Sequence, residues 1–373
     1  MTLSFRVLAR DGDARTATLT TPHGEVATPT FMPVGTQGSV KTLTPSEVAS
    51  TGARIVLGNT YHLWLRPGAE LVAELGGLHA FTRWEGPMLT DSGGYQAFSL
   101  AQRCTLSEAG FSFRSHLDGK LCELTPEEAM RIQQLLGADI AMQLDVCPPG
   151  QSDRAALESA CAITTRWARR CLDAHDSTTQ ALFGIVQGGT DVSLRLAHAD
   201  ELAAMPFDGL ALGGFSVGEP IEHMHDVLAK VAPRLDPARP RYLMGVGTPG
   251  DLLRAIASGV DMFDCVLPTR NARNGQALTR AGKIVIKHAR YARDEKVLDP
   301  GCGCATCLGG YSRAYLRHLF LAGEILVLRL LTLHNLHLYG ELVAGARRAI
   351  ARGHYAEYQQ KWCDQRDDNG NLT

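Results

Sequence analysis

The chain has 373 residues, 45 % hydrophobic and 20 % charged, which is enough apolar material for one large core or two smaller ones and excludes a disordered chain. Its formal net charge of −2 at pH 7 excludes a whole-molecule pull toward nucleic acid or anionic lipid, so a polyanionic partner has to be held by a local patch. No apolar run approaches a bilayer span, and the opening MTLSFRVLARDGDAR lacks a basic stretch followed by an apolar one, so a cytoplasmic protein with no membrane association is expected.

Apolar, strand-like runs alternate with helical patterns along the chain. The runs are RIVLGNTYHL (54–63), PMLTDSGGYQ (87–96), DIAMQLDVCPP (139–149), LFGIVQGG (182–189), FDGLALGGFSVGE (207–219), YLMGVGTP (242–249) and DMFDCVLPTR (261–270). Between them, TPEEAMRIQQLLG (125–137) opens on a Thr125 cap with Glu128 three residues on, and SDRAALESACAITTRWARRCLDAH (152–175) repeats apolar positions at three and four. Seven strands, with an eighth in either PTFMPVGTQGSVK (29–41) or GQALTRAGKIVIK (275–287), predict an α/β fold of the (β/α)8 TIM-barrel type. An open doubly wound sheet fits less well, because no G-x-G-x-x-G opens a helix after the first strand. Nothing resembles a linker, a low-complexity tract or an internal repeat, so residues 1–373 read as one barrel domain.

Such a barrel gathers its chemistry at the carboxyl ends of the strands. These ends carry Asp91, Asp145, Gln187, Gly213, Gly214, Gly245 and Asp264. Asp264 interrupts the apolar run MFDCVL, where a carboxylate suffers desolvation unless the strand opens into a cleft. Asp91 and Asp145 also suit helix caps, yet three acids at one barrel mouth would shift one another's pKa or bind a donor-rich ligand. Paired carboxylates suit chemistry at an anomeric carbon, one attacking or stabilising the centre and the other handling the leaving group's proton. Gln187 offers both a donor and an acceptor, the glycine pair can expose backbone N–H groups, and Tyr95 can stack on a flat heterocycle. Ser92, Gly93 and Gly94 allow a tight turn after Asp91.

Between Asp264 and Asp294 there is no acid, whereas Arg270, Arg273, Arg280, Lys283, Lys287, Arg290 and Arg293 form a basic stretch. It reads either as a solvated face or as the local patch for a polyanion. Of ten cysteines, Cys302, Cys304 and Cys307 crowd into GCGCATC, a spacing that suits a tetrahedral metal lacking one ligand, with His334, His318 and His337 as candidates for the fourth. HMH (223–225) lies in a helical stretch, where residues two apart face different ways, which argues against a metal-dependent hydrolase.

The motifs GNTYHLWLRPG (58–68), LTDSGGYQ (89–96), HLDG (116–119), GIVQGG (184–189), LGGFSVGE (212–219), YLMGVGTP (242–249), MFDCVLPTRNARNGQ (262–276), CGCATC (302–307), YSRAYLRHL (311–319) and HNL (334–336) together resemble the bacterial tRNA-guanine transglycosylase family along nearly the whole chain. The resemblance implies a barrel with an inserted C-terminal zinc-binding subdomain, 295–345. It implies exchange of the wobble guanine of G-U-N anticodon tRNAs, those for aspartate, asparagine, histidine and tyrosine, for preQ1 (7-aminomethyl-7-deazaguanine). By motif, Asp264 resembles the nucleophile at ribose C1′ and Asp91 the general acid/base. Asp145, Gln187 and the Gly213–Gly214 amides resemble the readers of the base edge, with Ser92 and Gly245 beside them and Tyr95 and Met244 as stacking walls. Cys147 and Val217 match the positions beside the 7-substituent, where Val217 leaves room for preQ1 and not for queuine. Arg270, Arg273, Lys283 and Lys287 match residues that meet the RNA. Cys302, Cys304, Cys307 and His334 match the ligands of one structural zinc per subunit, and a homodimer is implied. The chain departs from the family pattern at DVCPPG (145–150), where DECTPYP is commoner, and in one extra residue between Cys307 and Tyr311.

Overall fold

The computed structural model describes residues 3–100 and 102–363. An antiparallel sheet of β1 (Ser4–Asp11), β2 (Ala14–Thr21) and β3 (Gly24–Thr28) leads into the barrel. The barrel strands are β4 (Thr30–Gly35), β5 (Val56–Gly58) and β6 (Met88–Thr90). An excursion follows, a small antiparallel sheet of β7 (Gln102–Leu106), β8 (Phe111–Arg114) and β9 (Leu121–Leu124). The barrel resumes with β10 (Ile140–Met142), β11 (Ala181–Val186), β12 (Gly209–Leu212), β13 (Arg241–Leu243) and β14 (Met262–Cys265). All neighbours run parallel, and closure comes from β14 pairing with β4 (Phe263 opposite Phe31) and β6 with β10. The expected (β/α)8 barrel is therefore present.

PTFMPVGTQGSVK supplies the eighth strand. GQALTRAGKIVIK folds instead as an antiparallel hairpin, β15 (Gln276–Thr279) and β16 (Gly282–Val285), because only Arg280 and Ala281 separate its two halves. A connection that short cannot cross back to a parallel strand.

Barrel strands are buried on both faces, which explains their continuous apolar runs. Met32, Ile55, Leu89, Ile140, Met142, Phe183, Ile185, Tyr242 and Met262 fill the interior, and Leu19 and Val26 of the preceding sheet plug its amino-terminal end. Between strands, the helix Pro126–Leu136 starts at Thr125, whose hydroxyl accepts the Glu128 N–H at 3.2 Å. The capping box is only half made, since the Glu128 carboxylate accepts from Arg131 at 2.7 Å. The helix Arg154–Ala174 buries Leu157, Ala160, Cys161, Thr164, Ala168 and Cys171, the stripe its periodicity predicts.

The hairpin, the cysteine loop and the first turns of the helix Ile325–Arg352 share a separate core around Ile284, Ile286, Leu298, Leu316, Val327 and Leu331. The later turns of that 28-residue helix bury Leu336, Tyr339, Leu342 and Ala346 against the barrel, so one rigid element ties the two cores together. Among the described residues, no helix is long and apolar enough to cross a membrane.

Candidate active site and metal centre

At the carboxyl-terminal mouth, Asp91, Ser92, Tyr95, Asp145, Cys147, Gly213, Gly214, Val217, Met244, Gly245 and Asp264 border one cleft of about 760 Å³ including its open mouth, a size suited to a ligand of nucleobase scale. A second cavity, beside the helix Pro45–Ser50 and lined by Val40, Leu43, Val48, Leu78, Trp84 and Met88, has no titratable group and so offers no acid–base chemistry.

The three carboxylates sit in different environments. Asp91 directly follows β6; its Oδ1 accepts the Thr60 N–H at 2.9 Å and its Oδ2 accepts the amides of Asn59 (2.5 Å) and Gln96 (3.3 Å). Burial nevertheless pushes it up to about 7, with the Asp264 charge adding to the rise. Asp264, inside β14, accepts the Tyr242 hydroxyl at 2.6 Å and the Gly245 N–H at 2.7 Å, both on Oδ1. Burial raises its pKa, and these two donors oppose the rise. Asp145 accepts the Gln187 amide at 2.6 Å and the Ser92 hydroxyl at 3.4 Å, and burial pushes it up to about 6. Near neutral pH such a set offers one carboxyl poised between acid and base and one carboxylate stabilised by aimed donors, the division of labour that displacement at a glycosidic carbon needs.

Gln187 lies behind the cleft, wholly buried, where its amide orients Asp145. Its own N–H donates to His198 Nδ1 at 2.9 Å. Burial pushes His198 down to about 4, so its imidazole is neutral and able to accept. At Gly214 the backbone has φ +66° and an added methyl would collide with the Gln187 amide oxygen; only glycine lets this backbone come so close. Cys147 borders the cleft, but burial raises its thiol to about 12, which leaves it a packing group and no nucleophile.

Several contributors escaped the sequence reading. Tyr242 points a hydroxyl into the barrel interior, and a buried phenol of that kind needs an acceptor, which Asp264 provides. Asn59 caps the helix Thr60–Leu65 with its Oδ1 and gives its amide to Asp91; its place at a strand end was the available signal. Glu219 holds the loop after Gly214 by accepting the N–H groups of Ser216 (2.5 Å) and Val217 (2.9 Å). Arg195, fully buried, donates to the carbonyls of Gly189 (2.5 Å), Val186 (3.2 Å), Gly213 (2.9 Å) and Gly214 (3.3 Å) and stacks on Phe215 at 3.7 Å. No periodicity marks an arginine on an ordinary helix as the anchor of a loop contributed by another strand.

The basic stretch starts where β14 ends. Pro268 opens the short helix Leu267–Arg273, whose last turn carries Arg270 and Arg273. Arg270 and Lys287 are exposed, and Arg273 and Lys283 are half-buried. Arg280 is engaged by Glu341 at 3.3 Å.

Below them, the Sγ atoms of Cys302, Cys304 and Cys307 stand 3.7, 3.4 and 3.5 Å from His334 Nδ1. A tetrahedral ion with metal–sulfur bonds of about 2.3 Å and a metal–nitrogen bond of about 2.0 Å requires sulfur–nitrogen separations of roughly 3.5 Å. The four residues could therefore hold a metal ion. His334 donates its Nε2–H to the Leu278 carbonyl at 2.7 Å, which fixes the tautomer that leaves Nδ1 free to ligate. His318 is exposed, and His337 is not part of the four-residue cluster.

A closed parallel barrel with two buried carboxylates, Asp91 and Asp145, and a half-buried one, Asp264, converging at its carboxyl-terminal mouth defines a (β/α)8 enzyme of the carboxylate-using class. The sequence family described as Queuine tRNA-ribosyltransferase matches residues 11–368. Relatives bearing that same name include a protein of Sorangium cellulosum, 74 % identical over 359 residues (96 % of this chain and 91 % of the relative), and one of Solidesulfovibrio magneticus, 55 % identical over 358 residues (95 % and 96 %). Another, from Nitratidesulfovibrio vulgaris, is 54 % identical over 361 residues, 96 % of each chain. The chain belongs to the queuine tRNA-ribosyltransferase family, the tRNA-guanine transglycosylases.

Proposed function

We propose that this enzyme exchanges the wobble guanine of G-U-N anticodon tRNAs, those for aspartate, asparagine, histidine and tyrosine, for preQ1 by double displacement. The observation that carries the reading is the contrast between Asp264, whose Oδ1 receives two aimed donors, and Asp91, held near pH 7 beside it. The Asp264 carboxylate attacks ribose C1′, the C1′–N9 bond breaks, and guanine leaves with the proton of Asp91. The incoming base then attacks C1′, the ester to Asp264 breaks, and Asp91 takes the N9 proton. Two inversions keep the β-linkage.

Asp145 and the Gly214 amide read the edge of the base, with Gln187 orienting Asp145 from behind, while Tyr95 and Met244 cover its faces. Val217 and Cys147 border the cleft, so a cyclopentenediol at the 7-position would overpack it at about 1–3 kcal/mol, at least about fivefold against queuine. Arg270, Arg273, Lys283 and Lys287 meet tRNA phosphates. The four-residue metal centre holds one structural zinc, all four positions being taken by protein, and residues 295–345 form its subdomain within the single barrel domain. The enzyme works in the cytoplasm as a homodimer, a reading supported by Leu308, Tyr315, Leu321 and Ile325, which leave large apolar side chains exposed on this subdomain.

The test is a trapped adduct. Wild-type enzyme mixed with tRNA forms a covalent complex that survives denaturing electrophoresis and maps to Asp264, and preQ1 releases it faster than queuine does. Asp264→Asn binds tRNA but forms no adduct and incorporates no base. An adduct mapped to Asp91, or exchange retained in Asp264→Asn, would overturn the assignment.

A further inference from the structure

The HMH stretch (223–225) lies on the helix Ile221–Val231 and borders no part of the cleft. Its residues face different ways, as helical spacing requires. His223 is exposed, Met224 is buried in the core, and His225 turns to the neighbouring helix, Pro249–Ala257. There Arg254 Nη1 stands 2.8 Å from His225 Nδ1, and Asp251 Oδ1 stands 2.8 Å from its Nε2. A guanidinium only donates, so the ring accepts at Nδ1 and carries its proton on Nε2, where it donates to Asp251.

Asp251 passes this contact to a loop that shapes the cleft. Its Oδ2 accepts the Thr248 hydroxyl at 2.5 Å, and the Thr248 oxygen accepts the Asp251 N–H at 3.2 Å, a helix cap in which both side chains take part. Thr248 also ends the loop 244–248, which leaves β13 and carries Met244, a wall of the cleft, and Gly245, whose N–H reaches Asp264 Oδ1 at 2.7 Å. On the way the Met244 N–H donates to the Leu212 carbonyl at 3.2 Å, and the Gly247 carbonyl accepts the Tyr339 hydroxyl. Gly245 is exposed with φ +71°. It has no side chain to fix it, so the aim of its N–H depends on how the loop is held on either side.

Asp251 is 7 % exposed, and a buried carboxylate oxygen left without a donor is costly. If residue 225 could not donate, the carboxylate would turn toward another partner and the Thr248 hydroxyl would lose its acceptor. The loop end would then shift, taking the Gly245 donor with it, and a misplacement of about 1 Å can slow chemistry about a hundredfold. We propose that His225 is a positioning residue for the displacement at C1′: through Asp251 and Thr248 it sets the loop that aims the Gly245 N–H at Asp264, an inference that rests on Asp264 being the nucleophile.

The test measures exchange of labelled guanine into tRNA and single-turnover adduct formation with the full-length enzyme. His225→Phe, of similar volume but with no donor, should lower kcat and the adduct rate about tenfold, with KM for tRNA unchanged because no RNA contact is touched. His225→Gln presents a donor and an acceptor on one planar head and should restore both rates. Thr248→Val, at the exposed end of the same path, should show the same defect, and the double variant should be no slower than the slower single one. Wild-type rates in His225→Phe, equal losses in His225→Phe and His225→Gln, or losses that multiply in the double variant would overturn the positioning role while the wild-type adduct on Asp264 stands. A wild-type adduct mapped to another residue would overturn the reading of Asp264 and this inference with it.

Discussion

Asp91 and Asp264 are the same residue type at the mouth of one barrel, and their neighbours separate them. Tyr242 and the Gly245 amide aim donors at Asp264, while Asp91 combines deep burial with exposure to the charge of Asp264. This has a signature in stability. A carboxyl raised from about 4 to about 7 binds a proton in the folded state that the unfolded chain has released, so its contribution to folding is fully present at low pH and falls as pH rises between those values. Asp145, pushed up to about 6, acts in the same direction. Asp91→Asn, which cannot ionise, should therefore gain stability relative to wild type at pH 7.5 and much less at pH 4.5. Urea unfolding of both proteins at the two pH values checks this; an equal difference at both would mean that Asp91 is not held protonated. Adduct formation, which uses the acid form of Asp91, should likewise decline above about pH 7 in single-turnover experiments.

The helix Ile325–Arg352 serves both cores, and its loss of support at one end should be felt locally. His334 fills two roles, facing three sulfurs with Nδ1 and the Leu278 carbonyl with Nε2. His334→Ala removes a ligand and leaves that carbonyl unpaired, and metal binding is coupled to the folding of such small cores. The variant should lose bound metal, with amide hydrogen exchange accelerating in β15, β16 and the cysteine loop while β10 to β14 stay protected. A chelator should reproduce the pattern in wild type, and His337→Ala should keep the metal. Uniform acceleration across the barrel would show that the centre supports the entire chain.

Across the whole molecule, chemistry occupies one end of the barrel and closure the other. At the base, Arg15 of β2 donates to Asp261 Oδ1 at 3.0 Å and Oδ2 at 2.5 Å and to the carbonyls of Pro237 and Arg239, with no exposure of either ion. Burial raises Asp261, and the Arg15 charge opposes that rise. Arg15→Met should leave an unpaired buried carboxylate and cost about 3–5 kcal/mol, measurable by urea unfolding at pH 7. The loss should shrink toward acid pH as Asp261 takes up a proton, while KM for tRNA stays unchanged because the site lies at the other end. A pH-independent loss would mean that packing, and not the ion pair, is what the variant removes.

Local patterning by itself determined the barrel class, the three acids at strand ends and the three clustered cysteines, because hydrophobic periodicity and short spacings are properties of neighbouring residues. It could not choose between residues 29–41 and 275–287 for the closing strand, since both read as strands and only the two-residue turn at Arg280–Ala281, seen with its pairing, makes the second a hairpin. Nor could it choose among His318, His334 and His337, which differ in which face of a helix meets the cysteine loop. Tyr242 beside Asp264, Asn59 beside Asp91 and Arg195 beneath the glycine pair came from the tertiary structure alone. Each joins groups 18 to 32 positions apart in sequence, and only closure of the barrel brings successive strand ends to one mouth, where the desolvation that sets the carboxylates apart arises.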